Sequence, residues 1–232
     1  MRIGMDVDGV LANWDEGFRL KLIEASGRVL CPPGFQPETW HWPEAVGYTD
    51  EEIKEAHFLS CNDTAFWTRL SPMPGAERFL SDIWRLFGNI HVLIQNGTVP
   101  DPTGLFTPEI YFITSRYGPA VKDATHDWIS RHGWTPQQTS VLINRHGLKG
   151  EICKALGINV FIDDRPDNCV DVRRKCPDAR VFMLARQHNA DVTTQMRSLR
   201  IDSIDLDQFR QLVVDSYART DGLPEGHLYA TN

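Results

Sequence analysis

Short apolar runs that stop on polar side chains, each followed by a stretch of helical periodicity, restrict this chain to a parallel sheet covered by helices. Parallel strands need a long crossover, and a helix is the usual one. The first run lies in MRIGMDVDGVLANW, where Arg2 to Met5 read as a strand and Asp6 and Asp8 follow directly. Later runs give strands at His91 to Ile94, Glu109 to Arg116, Ser140 to Ile143, Asn159 to Ile162 and Arg180 to Leu184, the last taken as the final strand of the core. Helices are expected at Asp15 to Ala25, from Pro74-Gly75 onward with Phe79, Ile83, Trp84 and Phe87 on one face, and at Val121 to His132. Three more follow at Lys149 to Leu156 (closed by Gly157), Asn168 to Lys175 and Asp205 to Tyr217.

Residues 30 to 72 change character, being rich in Pro, Trp and acids, with a helix start at Thr49-Asp50-Glu51-Glu52. The chain therefore divides into an α/β core of residues 1–14 and 73–232 and an insert of residues 15–72. Gln95 to Pro108 is a turn-rich excursion.

Composition narrows the function classes. A chain of 232 residues can bury one sizeable core, and a formal net charge of −7 argues against a nucleic-acid polymer as partner, which calls for clustered Lys and Arg. No apolar stretch reaches a membrane span and no secretory signal is visible, so the expectation is a cytoplasmic protein with no membrane partner. The 5 cysteines (Cys31, Cys61, Cys153, Cys169, Cys176) include no C-x-x-C pair and read as reduced, inert thiols. The 8 histidines form no H-E-x-x-H or comparable cluster.

In an open parallel sheet, ligands bind at the carboxyl ends of the strands. Three such ends carry polar groups here: Asp6-Val7-Asp8, Thr114-Ser115-Arg116 and Asp163-Asp164. Four carboxylates in one small volume repel one another unless a hard cation such as Mg2+ binds among them. The acids thus predict a divalent metal, and Asp6, Asp8, Asp163 and Asp164 are its candidate ligands.

In this order the residues resemble the haloacid dehalogenase superfamily of phosphotransferases. That family is marked by D-x-D-G-x after the first strand, Thr or Ser after the second, a Lys, and an acidic pair. The matching residues are Asp6-Val7-Asp8-Gly9-Val10, Thr114, Lys149 or Lys154, and Asp163-Asp164. DVDGVLANW (Asp6 to Trp14), FWTRLSPMPGA (Phe66 to Ala76), FITS (Phe112 to Ser115) and IDDRP (Ile162 to Pro166) further resemble the 5′(3′)-deoxyribonucleotidases. The resemblance implies a Rossmann-like parallel core of that superfamily's fold, with a small, mainly helical cap inserted after the first strand.

It also implies a chemistry. Asp6 is a nucleophile needing no deprotonation at neutral pH, and Asp8 is the acid and base for the leaving alcohol and the attacking water. Mg2+ is held by Asp6, the Asp8 carbonyl and the acidic pair, with Asp164 favoured as the direct ligand. Gly9, Thr114 and Ser115 approach the phosphoryl oxygens, and Arg116 adds positive charge or lies solvated. Lys149, at a helix start near the active edge, is preferred over Lys154 as the charge-stabilising lysine. Trp14 matches a position where an aromatic contacts the base, and Phe66-Trp67 match a cap segment that lines the pocket, although packing of cap on core explains such aromatics equally well. The expected partner is a small phosphomonoester, a nucleotide foremost, and a homodimer is compatible with the pattern.

Two other readings stay open from sequence. One is a phosphatase for another small phosphomonoester, such as a sugar phosphate. The other is a phosphoacceptor signalling domain, which gathers the same residue types but in a different strand order. Trp40-His41-Trp42 and the tail beyond about residue 185 have no counterpart in the resemblance.

Overall fold

A computed structural model describes residues 1–95, 109–133, 139–143 and 148–220. Its centre is an all-parallel sheet of 6 strands in the order β3-β2-β1-β4-β5-β6. The strands are β1 (Arg2–Met5), β2 (Glu109–Thr114), β3 (Thr139–Ile143), β4 (Val160–Asp163), β5 (Arg180–Leu184) and β6 (Ile201–Ile204). Val160-Phe-Ile-Asp163 is buried along its whole length, as a strand covered on both faces must be. This is a Rossmann-like, doubly wound order. It reverses between β1 and β4, and the crevice at such a reversal is where these sheets hold ligands.

The helices are α1 (Trp14–Ser26), α2 (Trp42–Ala45), α3 (Asp50–Asn62), α4 (Thr64–Arg69), α5 (Ala76–Gln95), α6 (Val121–Arg131), α7 (Lys149–Leu156), α8 (Pro166–Lys175), α9 (Thr193–Ser198) and α10 (Leu206–Thr220). Local chemistry accounts for their limits. The Asn13 side chain accepts from the Glu16 N–H to start α1, and Gly27 ends it with φ 68°. Thr49 and Glu52 form a reciprocal capping box at α3. Gly157 closes α7, as its position after the last periodic residue predicts.

Two expectations change. His91 to Ile94 is not a strand but the end of α5, a single helix of 20 residues. A short apolar run fits either period, and here the buried positions Phe79, Leu80, Ile83 and Leu86 set a helical register that carries through it. Arg180–Leu184 is not the last strand either, because β6 pairs beside it in parallel register. Ile201-Asp-Ser-Ile204 is short, half polar and at the sheet edge, with only Ile201 fully buried, so it carries little periodic signal. The expected excursion, beyond its first residue Gln95, lies outside the described residues.

Between β1 and α5 the chain forms the helical insert. Phe18, Leu22, Cys31, Trp42, Tyr48 and Ala56 make a hydrophobic cluster separate from those of the sheet. Phe66, Trp67 and Leu70 join the main cluster beside the sheet, and α4 packs on α6. Gly17 permits this approach, since a Cβ there would stand 2.3 Å from Leu70 Cδ2.

All 5 cysteines are free, and burial pushes the Cys31, Cys61, Cys153, Cys169 and Cys176 thiols up in pKa, which disfavours the thiolate. Among the described residues, no helix is long and apolar enough to cross a membrane.

Candidate active site

The tips of β1 and β4, adjacent at the reversal of strand order, bring Asp6, Asp163 and Asp164 together. One oxygen of each lies within 4.8 Å of the others, and all three are buried. Lys149, the first residue of α7 and 1% exposed, reaches between them: its Nζ is 2.9 Å from Asp6 Oδ1 and 2.6 Å from Asp163 Oδ2. This selects Lys149 over Lys154, which is exposed on the far side of the same helix.

The acidic pair divides into two roles. Asp163 accepts hydrogen bonds at both oxygens, from Lys149, from Asn168 Nδ2 (3.1 Å to each) and from the Arg165 N–H (2.9 Å). Among the described residues none donates to the Asp164 carboxylate, which rests against Gly9. A Cβ on Gly9, at φ +77°, would stand 2.0 Å from Asp164 Oδ2. Asp6 likewise has one oxygen engaged, Oδ1 accepting from the Val7 N–H at 2.8 Å and from Lys149, while Oδ2 accepts no hydrogen bond.

Burial, then repulsion from neighbouring carboxylates, holds Asp6 and Asp164 well above the usual carboxylate pKa; Lys149 opposes the shift at both, and Arg186 does so at Asp164. Burial alone would lower Lys149, but Asp163 and Asp6 overcome it and raise the ammonium. Three buried carboxyl groups face one ammonium, and the oxygens of Asp6 and Asp164 that accept no hydrogen bond from the described residues fit a hard, oxygen-seeking divalent cation, which would relieve the repulsion among them. Asp6 and Asp164 would hold it, with Asp163 orienting Lys149.

Asp8 lies past the strand tip in a tight turn, where the Gly9 N–H donates to Ala12 O at 2.9 Å. Its carboxylate is forked by Arg116: Nε is 2.9 Å from Oδ2 and Nη2 is 2.7 Å from Oδ1. The Thr114 hydroxyl adds a 3.3 Å bond to Oδ2. Arg116 is thus neither solvated nor free for substrate. It is buried, bonded to Thr125 Oγ1 at 3.0 Å through Nη1, and seated over the Trp67 ring at 5.0 Å.

Above these groups opens a cavity of about 500 Å3, in the range of small-molecule sites. Asp6, Asp8, Gly9, Ser115, Arg116 and Asp164 line its floor, and Trp14, Trp40, Trp42, His57, Trp67 and Tyr117 supply aromatic walls. Trp14 stacks on Phe18 with centroids 4.4 Å apart. Phe66 is the exception among the expected aromatics. Its ring is buried in the main core, edge-on to Trp67 at 4.9 Å and next to Gly17, and it does not line the cavity.

Three groups escaped the sequence reading. His188 and Arg186 come from the loop after β5, and Asp15 from the first turn of α1. Asp15 accepts from Trp42 Nε1 at 3.2 Å and stands 3.7 Å from Arg186 Nη2, tying insert to core. Burial raises its pKa and lowers that of His188. The signal was present: ARQHN follows an apolar strand, the same strand-end pattern that marked the other residues. Trp40, with no counterpart in the resemblance, packs on His188 with centroids 3.9 Å apart and lies under the Arg165 guanidinium at 5.5 Å.

Fold and site together define a doubly wound α/β protein with a buried carboxylate-lysine cluster at its switch point, beneath an aromatic cavity. Comparison with protein-family models gives no match, and neither does comparison with curated proteins.

Proposed function

We propose that this chain is a phosphomonoester hydrolase of the haloacid dehalogenase type, dependent on Mg2+ and acting on nucleoside monophosphates. The observation that carries the reading is the buried cluster of Asp6, Asp163 and Asp164 at the reversal of strand order, with Lys149 bridging Asp6 and Asp163. The helical insert is the cap of that fold, and its tryptophans are the walls for a planar base.

Bound among Asp6, Asp164 and the Asp8 carbonyl, the cation supplies positive charge that lets an anionic nucleophile meet an anionic phosphate. Asp6 attacks phosphorus through its carboxylate, while Lys149 and the Val7 N–H, both donating to Oδ1, fix the carboxylate's rotation. The bond from phosphorus to the leaving oxygen breaks as Asp6 gains the phosphoryl group, and Asp8 delivers a proton to that oxygen. A water then attacks the acylphosphate, giving its proton to Asp8 and releasing phosphate. Arg116 and Thr114 keep Asp8 in one rotamer throughout, so its oxygens are positioned before substrate arrives.

Phosphate release from a panel of nucleoside monophosphates and sugar phosphates, with Mg2+ and with chelator, tests the reading. Hydrolysis of nucleotides that needs the metal and disappears in Asp6→Asn is expected. Equal or faster hydrolysis of sugar phosphates overturns the nucleotide assignment, and activity retained in Asp6→Asn overturns the mechanism.

A further inference from the structure

His188 is 6% exposed, and its Nε2 has no hydrogen-bond partner among the described residues. A buried polar nitrogen left unsatisfied is costly, so a group held in that state beside a cavity marks the position of a ligand atom. Its placement is built in. The Asn189 side-chain amide donates to the Asp164 carbonyl at 2.8 Å and to the Leu184 carbonyl at 2.9 Å, which fastens the loop after β5 to the tip of β4. Asn189 Oδ1 in turn accepts from the Arg186 N–H at 3.0 Å. Trp40 covers the imidazole from the insert side.

Nε2 therefore stands 3.7 Å from Asp164 Oδ2. That separation is too long for a direct hydrogen bond, yet one oxygen can lie within reach of both atoms. Mg2+ gives up its hydration water reluctantly and keeps several waters when few carboxylates hold it. Asp164 is the member of the cluster whose carboxylate accepts no other hydrogen bond, so its outer oxygen is open to such a water.

We propose that His188 is a positioning residue for the divalent cation, its Nε2 sharing with Asp164 one water of the ion's hydration shell. The assignment rests on the metal-dependent reading above and adds to it the residue that sets ion affinity from outside the carboxylate cluster. The water arrives with the ion, before substrate, so the effect belongs to metal binding and not to substrate recognition.

The test is Mn2+ affinity, followed by electron paramagnetic resonance of the free ion on the full chain without substrate. His188→Phe keeps a ring against Trp40 and removes the nitrogen, and is expected to weaken binding roughly 10 to 100-fold. His188→Gln retains a polar atom and is expected to keep most of the affinity. Thermal melts of the metal-free variants establish folding, and His188→Asn, polar but short, replaces the Phe variant if that fails to fold, with the same loss expected. Affinity of the Phe or Asn variant within twofold of wild type overturns the assignment, as does a change confined to KM for substrate. Wild-type protein that binds no Mn2+ overturns both this and the metal-dependent reading. Mn2+ binding that depends on His188 in a protein releasing no phosphate overturns the hydrolase reading alone.

Discussion

Lys149→Met isolates the electrostatic centre of the site. The ammonium is buried between Asp6, whose side chain is 8% exposed, and Asp163, which is wholly buried. Removing one partner from such a cluster leaves buried negative charge without compensation, at a cost of about 3–5 kcal/mol. In a chain of this size each kcal/mol corresponds to about 2–4 °C of melting temperature, so a drop of about 6–20 °C is expected. The assay is urea and thermal unfolding in chelator at neutral pH, because added cation would itself stabilise the folded state by mass action.

The pH dependence follows from the same cause. Without Lys149 the Asp6 carboxyl rises further above its unfolded value, so its penalty is present at neutral pH and recedes as pH falls and it protonates. The deficit of the variant should therefore shrink toward acid. Asp163→Asn in the Lys149→Met background should recover part of the loss. A cost under about 1 kcal/mol, or effects of the two substitutions that add to within about 0.5 kcal/mol, would refute the argument that they form one unit.

Gly9→Ala should lower divalent-cation affinity at least tenfold, measured as loss of the Mg2+-induced melting shift, because the new Cβ would enter the space of Asp164 Oδ2. Arg116→Ala should cost roughly 3 kcal/mol in urea unfolding, and Arg116→Lys should not restore it, since an ammonium cannot fork Asp8 while bonding Thr125. Asp164→Asn removes a carboxylate held well above its ordinary pKa, so in chelator its stability relative to wild type should rise as pH increases from about 4 to neutral, read from paired melts. A difference that stays flat with pH would count against the burial and repulsion assigned to Asp164.

How much of this was legible in sequence depended on whether a signal was local. The strand-helix alternation, the capping residues Asn13 and Thr49 and the polar strand tips are properties of a few adjacent residues, and they placed β1, β2, β4 and most helices. His91 to Ile94 was ambiguous because three apolar residues after His91 fit both periods, and β6 was silent because half of its residues are polar.

Taken alone, the sequence determined a parallel α/β sheet and the residue types at its carboxyl edge, because backbone hydrogen bonding and side-chain periodicity are set along the chain. Only the tertiary structure decided how those residues divide their roles. Lys149 was chosen over Lys154, Asp163 was bound to it while Asp164 stayed open, Arg116 was drawn to Asp8, Phe66 withdrew into the core and His188 entered the site. Those outcomes depend on distances between strand tips far apart in sequence, where burial makes each charge seek the nearest partner and no local pattern records which one that will be.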